Sequence, residues 1–182
     1  MKILAFAASN SKISINKQLV MYVANRLKST KTPDATIETL DLDDYELALY
    51  RPDREEAGGV PALAQDFYAK IGSSDVVLVS FAEHNGLYTA AYKNLFDWTS
   101  RIDRKVYQDK PMILLATSPG ARGASNVLKI ATESAPHFGM DVRASISVPS
   151  FQDNFDSTAG ELTNPELVSQ IDAAMDLLNT PE

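Results

Sequence analysis

Five short runs rich in Val, Ile and Leu recur along the chain, at positions 3–8, 37–42, 76–81, 112–117 and 142–148. Each has strand length and near-continuous apolar character, the pattern of a strand covered on both faces. Longer segments with helical spacing lie between and after them. Leu19, Val23 and Leu27 sit four apart, as do Leu63, Phe67 and Ile71. Tyr88, Ala91, Leu95 and Trp98 follow a three-and-four rhythm, and Val127, Ile130 and Ala131, then Leu167, Ile171, Met175 and Leu178, extend it. Five strands alternating with five helices predict an α/β protein, a parallel sheet with right-handed crossovers and helices on both faces. Positions 47–60 and 151–165 read as surface loops.

Bulk properties narrow the chemistry. At 182 residues the chain is expected to form one domain, 1–182. It holds no cysteine, which removes disulfides, thiolate nucleophiles, zinc–cysteine sites and cysteine-ligated iron–sulfur clusters. Two histidines, His84 and His137, leave little material for a metal site. The formal net charge of −7 and the lack of a basic stripe argue against nucleic acid as partner. No run approaches the ~20 apolar residues that cross a bilayer, and the N-terminus enters a strand without a leader-like segment. A soluble, cytoplasmic protein that engages no membrane is expected.

In such sheets ligands bind outside the carboxyl ends of the strands, where the strand order reverses. The loop after strand one reads Ala8-Ser9-Asn10-Ser11-Lys12-Ile13-Ser14-Ile15-Asn16, with a helix starting near Ser14. Its hydroxyls and amides either cap that helix or complete a phosphate cradle at its N-terminus. Neither G-x-G-x-x-G nor G-x-x-x-x-G-K-[ST] is present, which argues against an adenine dinucleotide bound in the standard crevice manner. After strand three come Glu83, His84, Asn85 and Gly86, with a helix expected from Leu87 or Tyr88. These residues form either a solvated turn with Gly86 at positive φ or a backbone reader of a flat heterocycle. After strand four, Thr117-Ser118-Pro119-Gly120-Ala121-Arg122-Gly123 is either a plain turn or a wall where glycines admit a ligand close to the backbone. In the order 2-1-3-4-5, strands one, three and four are neighbours. The three loops then share one rim, a combination suited to a mononucleotide-like cofactor with a flat ring.

These loops resemble those of the NADPH-dependent FMN reductase family, from Met1 to about Phe155. The family's first loop, G-S-x-R-x-x-S-x-N, corresponds to positions 8–16, with Ala8 for the glycine and Ser11 for the arginine. Its P-E-Y-N-G-S appears as Ala82-Glu83-His84-Asn85-Gly86-Leu87, and its K-N-x-x-D-W-x-S-R as Lys93-Asn94-Leu95-Phe96-Asp97-Trp98-Thr99-Ser100-Arg101. S-P-G-x-x-G is intact from Ser118 to Gly123.

The resemblance implies a flavodoxin-like three-layer sandwich with a five-stranded parallel sheet ordered 2-1-3-4-5. It assigns the FMN phosphate to Ser9, Ser11, Ser14 and Asn16, with Ile15 also among the cofactor-binding residues. The flavin ring falls to Ala82, Glu83, His84, Asn85 and Gly86, with Ser118, Pro119, Gly120 and Gly123 as the other wall. No catalytic residue is required, because flavin performs the chemistry. The implied activity passes electrons from NADPH or NADH through FMN to a small acceptor such as free flavin, a quinone or an azo compound, in a homodimer or homotetramer. A flavodoxin-like electron carrier and a non-enzymatic binding module are the alternatives. Trp98 is expected in the core or at a subunit contact, and Asp97 is expected to pair with Arg101 four residues on.

Overall fold

The computed structural model describes residues 1–178, so the last positions of the expected 1–182 domain lie outside the described residues. Five parallel strands form one sheet: β1 (Lys2–Ala8), β2 (Thr36–Leu40), β3 (Val76–Phe81), β4 (Lys110–Thr117) and β5 (Met140–Val148), ordered 2-1-3-4-5. The helices are α1 (Ile15–Thr30), α2 (Pro52–Gly58), α3 (Ala62–Gly72), α4 (Ala90–Thr99), α5 (Ser125–Ser134), the short α6 (Phe151–Asn154) and α7 (Pro165–Leu177).

Side chains of successive strand residues point to opposite faces, and the register turns this into two cores. Ile3 pairs with Val76 and Ala5 with Leu78, and all four face α1 and α7. Leu4 pairs with Val77 and Phe6 with Val79, and these face α3, α4 and α5. β3 is buried along its whole length, whereas the edge strands β2 and β5 are only partly covered. The result is a flavodoxin-like sandwich of three layers. Among the described residues no helix is long and apolar enough to cross a membrane.

Several boundaries differ from the sequence expectation. β2 stops at Leu40, because the Asp41 side chain accepts Asp43 N–H and caps a 3-10 turn over Leu42–Asp44. The segment expected as a loop at 47–60 contains α2, which begins with Pro52 at its first position and leaves at Gly59 with φ 72°. The second expected loop contains α6 and a small hairpin pairing Phe155–Asp156 with Glu161–Leu162, and it buries Phe151, Phe155 and Leu162 against α1 and α7. In α3, Ala64 joins Phe67 and Ile71 in the core, while Leu63 is 37% exposed.

Candidate functional site: a cleft at the carboxyl rim

The loops after β1, β3 and β4 meet at the carboxyl end of the sheet and enclose a cleft of about 280 Å³. Ser9, Ser11, Ser14, Ile15 and Asn16 line one side, Ala82, Glu83 and His84 a second, and Ser118 and Pro119 a third. Asn85, Gly86, Gly120 and Gly123 belong to the same loops but lie outside the lining. Ile13 and Thr117 also line it, and the sequence reading did not assign them. Ile13 had a signal of its own, an apolar residue in a polar loop, and it is 86% exposed.

The α1 side is built from neutral donors. Ser14 is the N-cap, with its Oγ accepting Lys17 N–H at 3.2 Å, and the first turn of α1 holds no acidic residue. The amides of Ile15 and Asn16 are first-turn donors that a helix cannot satisfy from within. Ser9 is almost buried, and its Oγ accepts Ser11 N–H at 3.2 Å, which leaves both serine hydroxyl protons to be donated. The nearby cations are turned elsewhere. Lys12 projects into solvent, 3.9 Å from Asp43, and Lys17 Nζ lies 2.5 Å from Asp41. That hydrogen bond, then Asp43 N–H, holds the Asp41 carboxyl below its ordinary pKa.

Asn16 lines the cleft and also carries a structural task. Its Oδ1 accepts Ser80 Oγ–H at 2.7 Å and Thr117 N–H at 3.1 Å, and its Nδ2 donates to the Thr117 carbonyl at 3.1 Å. One buried side chain thus mounts the start of α1 on the ends of β3 and β4. The hint in the sequence is Ser80, a lone hydroxyl in the apolar run of β3.

The loop after β3 is a hairpin. Glu83–His84 pairs antiparallel with Leu87–Tyr88, and Asn85 (φ 54°) and Gly86 (φ 82°) both take left-handed conformations, as a two-residue type I′ turn demands. Leu87 and Tyr88 are therefore a returning strand, and α4 starts at Ala90 instead. Its N-cap Thr89 accepts Tyr92 N–H and donates its hydroxyl to the Ala8 carbonyl at 3.0 Å. Glu83 turns its carboxylate to α5, where Oε2 accepts Val127 N–H at 2.9 Å.

The loop after β4 separates two glycines that look alike in sequence. A Cβ on Gly120 would meet only Ser118 Oγ, at 4.0 Å. At Gly123, with φ +55°, it would lie 2.4 Å from Ser147 Oγ and 2.8 Å from Pro149 N. Gly123 is thus required by packing under the loop, while Gly120 is exposed at its tip.

The motif from Lys93 to Arg101 serves the fold beside the cleft. Asn94 Oδ1 accepts Tyr50 N–H at 2.9 Å, its Nδ2 donates to the Leu47 carbonyl at 3.0 Å, and Trp98 Nε1 donates to the Ala48 carbonyl at 2.8 Å. Trp98 is 2% exposed and meets Tyr50 edge-on, so it is a core residue. The expected pair of Asp97 with Arg101 does not form. α4 ends at Thr99, which takes Arg101 off the helical face; Asp97 binds Lys93 at 2.7 Å, and Arg101 reaches Glu55 of α2 at 2.9 Å.

Comparison with known proteins agrees with this architecture. The NADH-dependent flavin reductase subunit 2 of Lactobacillus johnsonii is 27% identical over 181 residues, spanning 96% of this chain and 93% of that protein. The flavoenzyme NAD(P)H:(acceptor) oxidoreductase FerB of Paracoccus denitrificans has the same fold, with a TM-score of 0.74 at 24% identity over 97% of this chain and 96% of that one. An FMN-dependent NADH-azoreductase of Bacillus anthracis, solved in complex with FMN, gives 0.66 at 13% identity over 98% and 100%. The NADPH-dependent FMN reductase family matches residues 1–153, a span that contains all three loops of the cleft. This chain therefore belongs to the NADPH-dependent FMN reductase family of oxidoreductases.

Proposed function

We propose that the protein binds FMN in the rim cleft, as one flavodoxin-like domain, and passes electrons from NADPH or NADH to a small acceptor: free flavin, a quinone or an azo compound. One observation supports this reading above the others. The N-terminus of the sixteen-residue α1 opens into the cleft with no acidic residue in its first turn and with three serine hydroxyls beside it. Such an end favours a dianionic phosphate. The donor set fits the group: the amides of Ile15 and Asn16 and the hydroxyls of Ser9, Ser11 and Ser14 would hold the phosphate without a guanidinium.

Ala82, Glu83 and His84 would face the ring from the β3 side, and Ser118 and Pro119 from the β4 side, with Asn85, Gly86 and Gly120 at the outer margin. When bound, FMN supplies the redox chemistry, accepting hydride from a nicotinamide and delivering electrons onward. The protein's part is to bind, orient and leave one side of the cleft open to donor and acceptor in turn. Assembly into a homodimer or homotetramer belongs to the same proposal. Its support is the exposed apolar set Ile13, Leu49 and Leu87, placed on three loops of one rim.

The test is a spectrum joined to a coenzyme-oxidation assay. Yellow protein whose flavin bands bleach on NADPH or NADH and return on adding a quinone supports the proposal. Yellow protein that neither coenzyme bleaches would make it an electron carrier, and colourless protein that takes up no added FMN would refute flavin binding.

A further inference from the structure

The hairpin after β3 carries a carboxylate that acts away from its own turn. Glu83 Oε2 accepts the Val127 N–H at 2.9 Å, and Val127 is the third residue of α5. That helix has no cap of its own. The preceding Ala124 is left-handed, with φ 60°, and has no side-chain acceptor. A carboxylate at this place satisfies an orphan amide and opposes the positive end of the helix.

The two partners differ in how firmly they are held. The entry to α5 is locked from beneath by the close packing of Gly123 on Ser147 and Pro149. On the other side is a two-residue hairpin, with only Glu83–His84 against Leu87–Tyr88. Isolated ribbons of this size have little stability of their own. The returning strand is tied at Thr89 to the Ala8 carbonyl, and the outgoing strand is tied at Glu83 to α5. Because Ala82, Glu83 and His84 face Ser118 and Pro119 across the cleft, a bond from Glu83 to α5 fixes the spacing of the two walls.

We infer that Glu83 is a positioning residue: by capping α5 from the neighbouring loop it clamps the hairpin and sets the width of the flavin cleft. The inference about width rests on the FMN reading of that cleft; the clamp itself is a property of the flavin-free protein.

The test compares full-length wild type with Glu83→Ala and Glu83→Gln. Without flavin, amide exchange at Val127 in Glu83→Ala should be about tenfold faster, the size of effect a lost cap produces. The FMN dissociation constant should rise by about tenfold as well. Glu83→Gln keeps an acceptor oxygen and should recover both to within about threefold of wild type. Unchanged exchange at Val127 in Glu83→Ala overturns the clamp, and so does a glutamine variant no better than the alanine one. If Glu83→Ala does not fold, Glu83→Asp, whose carboxylate falls one methylene short of the Val127 amide, takes its place and should show faster exchange at Val127 than wild type; no change there overturns the inference. Wild type that takes up no FMN sinks the flavin reading, while the flavin-free exchange comparison still decides the clamp.

Discussion

Two helices start at the same rim of the sheet, α1 after β1 and α5 after β4, and their first turns are completed in opposite ways. α1 is capped by its own Ser14, holds no acidic residue in its first turn, and opens into the cleft among neutral hydroxyls. α5 follows a left-handed Ala124 with no capping side chain, and its Val127 amide is taken by Glu83 from the neighbouring hairpin. Both ends carry the same partial positive charge. The fold thus offers two places for an anion and fills one of them with an internal carboxylate. Neither first turn carries an acidic residue of its own; under the proposed function α1 is the phosphate end because, among the described residues, no carboxylate from another loop bonds its first-turn amides as Glu83 does at α5.

The mount of α1 is the most costly part to disturb. Asn16→Ala removes three buried hydrogen bonds and strands the Ser80 hydroxyl and the Thr117 amide, so it should destabilise the protein by about 4 kcal/mol in urea unfolding. A wild-type midpoint would show that α1 is not held through this side chain. At the other helix, Gly123→Ala should cost about 3 kcal/mol, from positive φ and from overlap with Ser147 and Pro149, whereas Gly120→Ala should stay within about 0.5 kcal/mol. Equal effects would dissolve the distinction between a packed and an open glycine.

Ser14→Ala should weaken FMN binding by about 2 kcal/mol, roughly thirtyfold in titrations followed by flavin fluorescence, and Lys12→Ala by less than about threefold. Equal losses would return the phosphate to a cation. The smallest effect concerns Asp41, which neutralises Lys17 in the first turn of α1. Its carboxyl is held below the ordinary value in the folded state. Its stabilising contribution is therefore present at neutral pH and is lost as pH falls below about 4. Asp41→Asn should lower the melting temperature slightly at pH 7, by the equivalent of less than about 1 kcal/mol, and the difference from wild type should shrink as the pH falls below about 4. A difference that grows towards pH 3 would contradict this sign.

The sheet was legible in the sequence because strands buried on both faces leave continuous apolar runs; the run at Val76–Phe81 matches β3 residue for residue. The Ser14 cap was legible for a similar reason, since capping is local and its residues are neighbours. What the sequence hid depends on contacts far along the chain. Glu83 and Val127 are 44 residues apart, and Asn16 bonds to residues 64 and 101 positions away. Gly120 and Gly123 sit in one motif and are told apart only by what lies beneath them. Asn85 and Gly86 were readable as a turn. The pairing of Leu87–Tyr88 back onto Glu83–His84, which delays α4 to Ala90, emerged only with the hairpin itself.

The central claim, that α1 holds a phosphate through neutral donors, is tested most directly by the affinities of FMN and riboflavin, which differ only in that phosphate. Wild type should bind FMN at least about a hundredfold more tightly than riboflavin, and Ser14→Ala should shrink the ratio to about threefold while leaving riboflavin unchanged. Equal affinities in the wild type, or a Ser14→Ala loss shared equally by both flavins, would contradict the account.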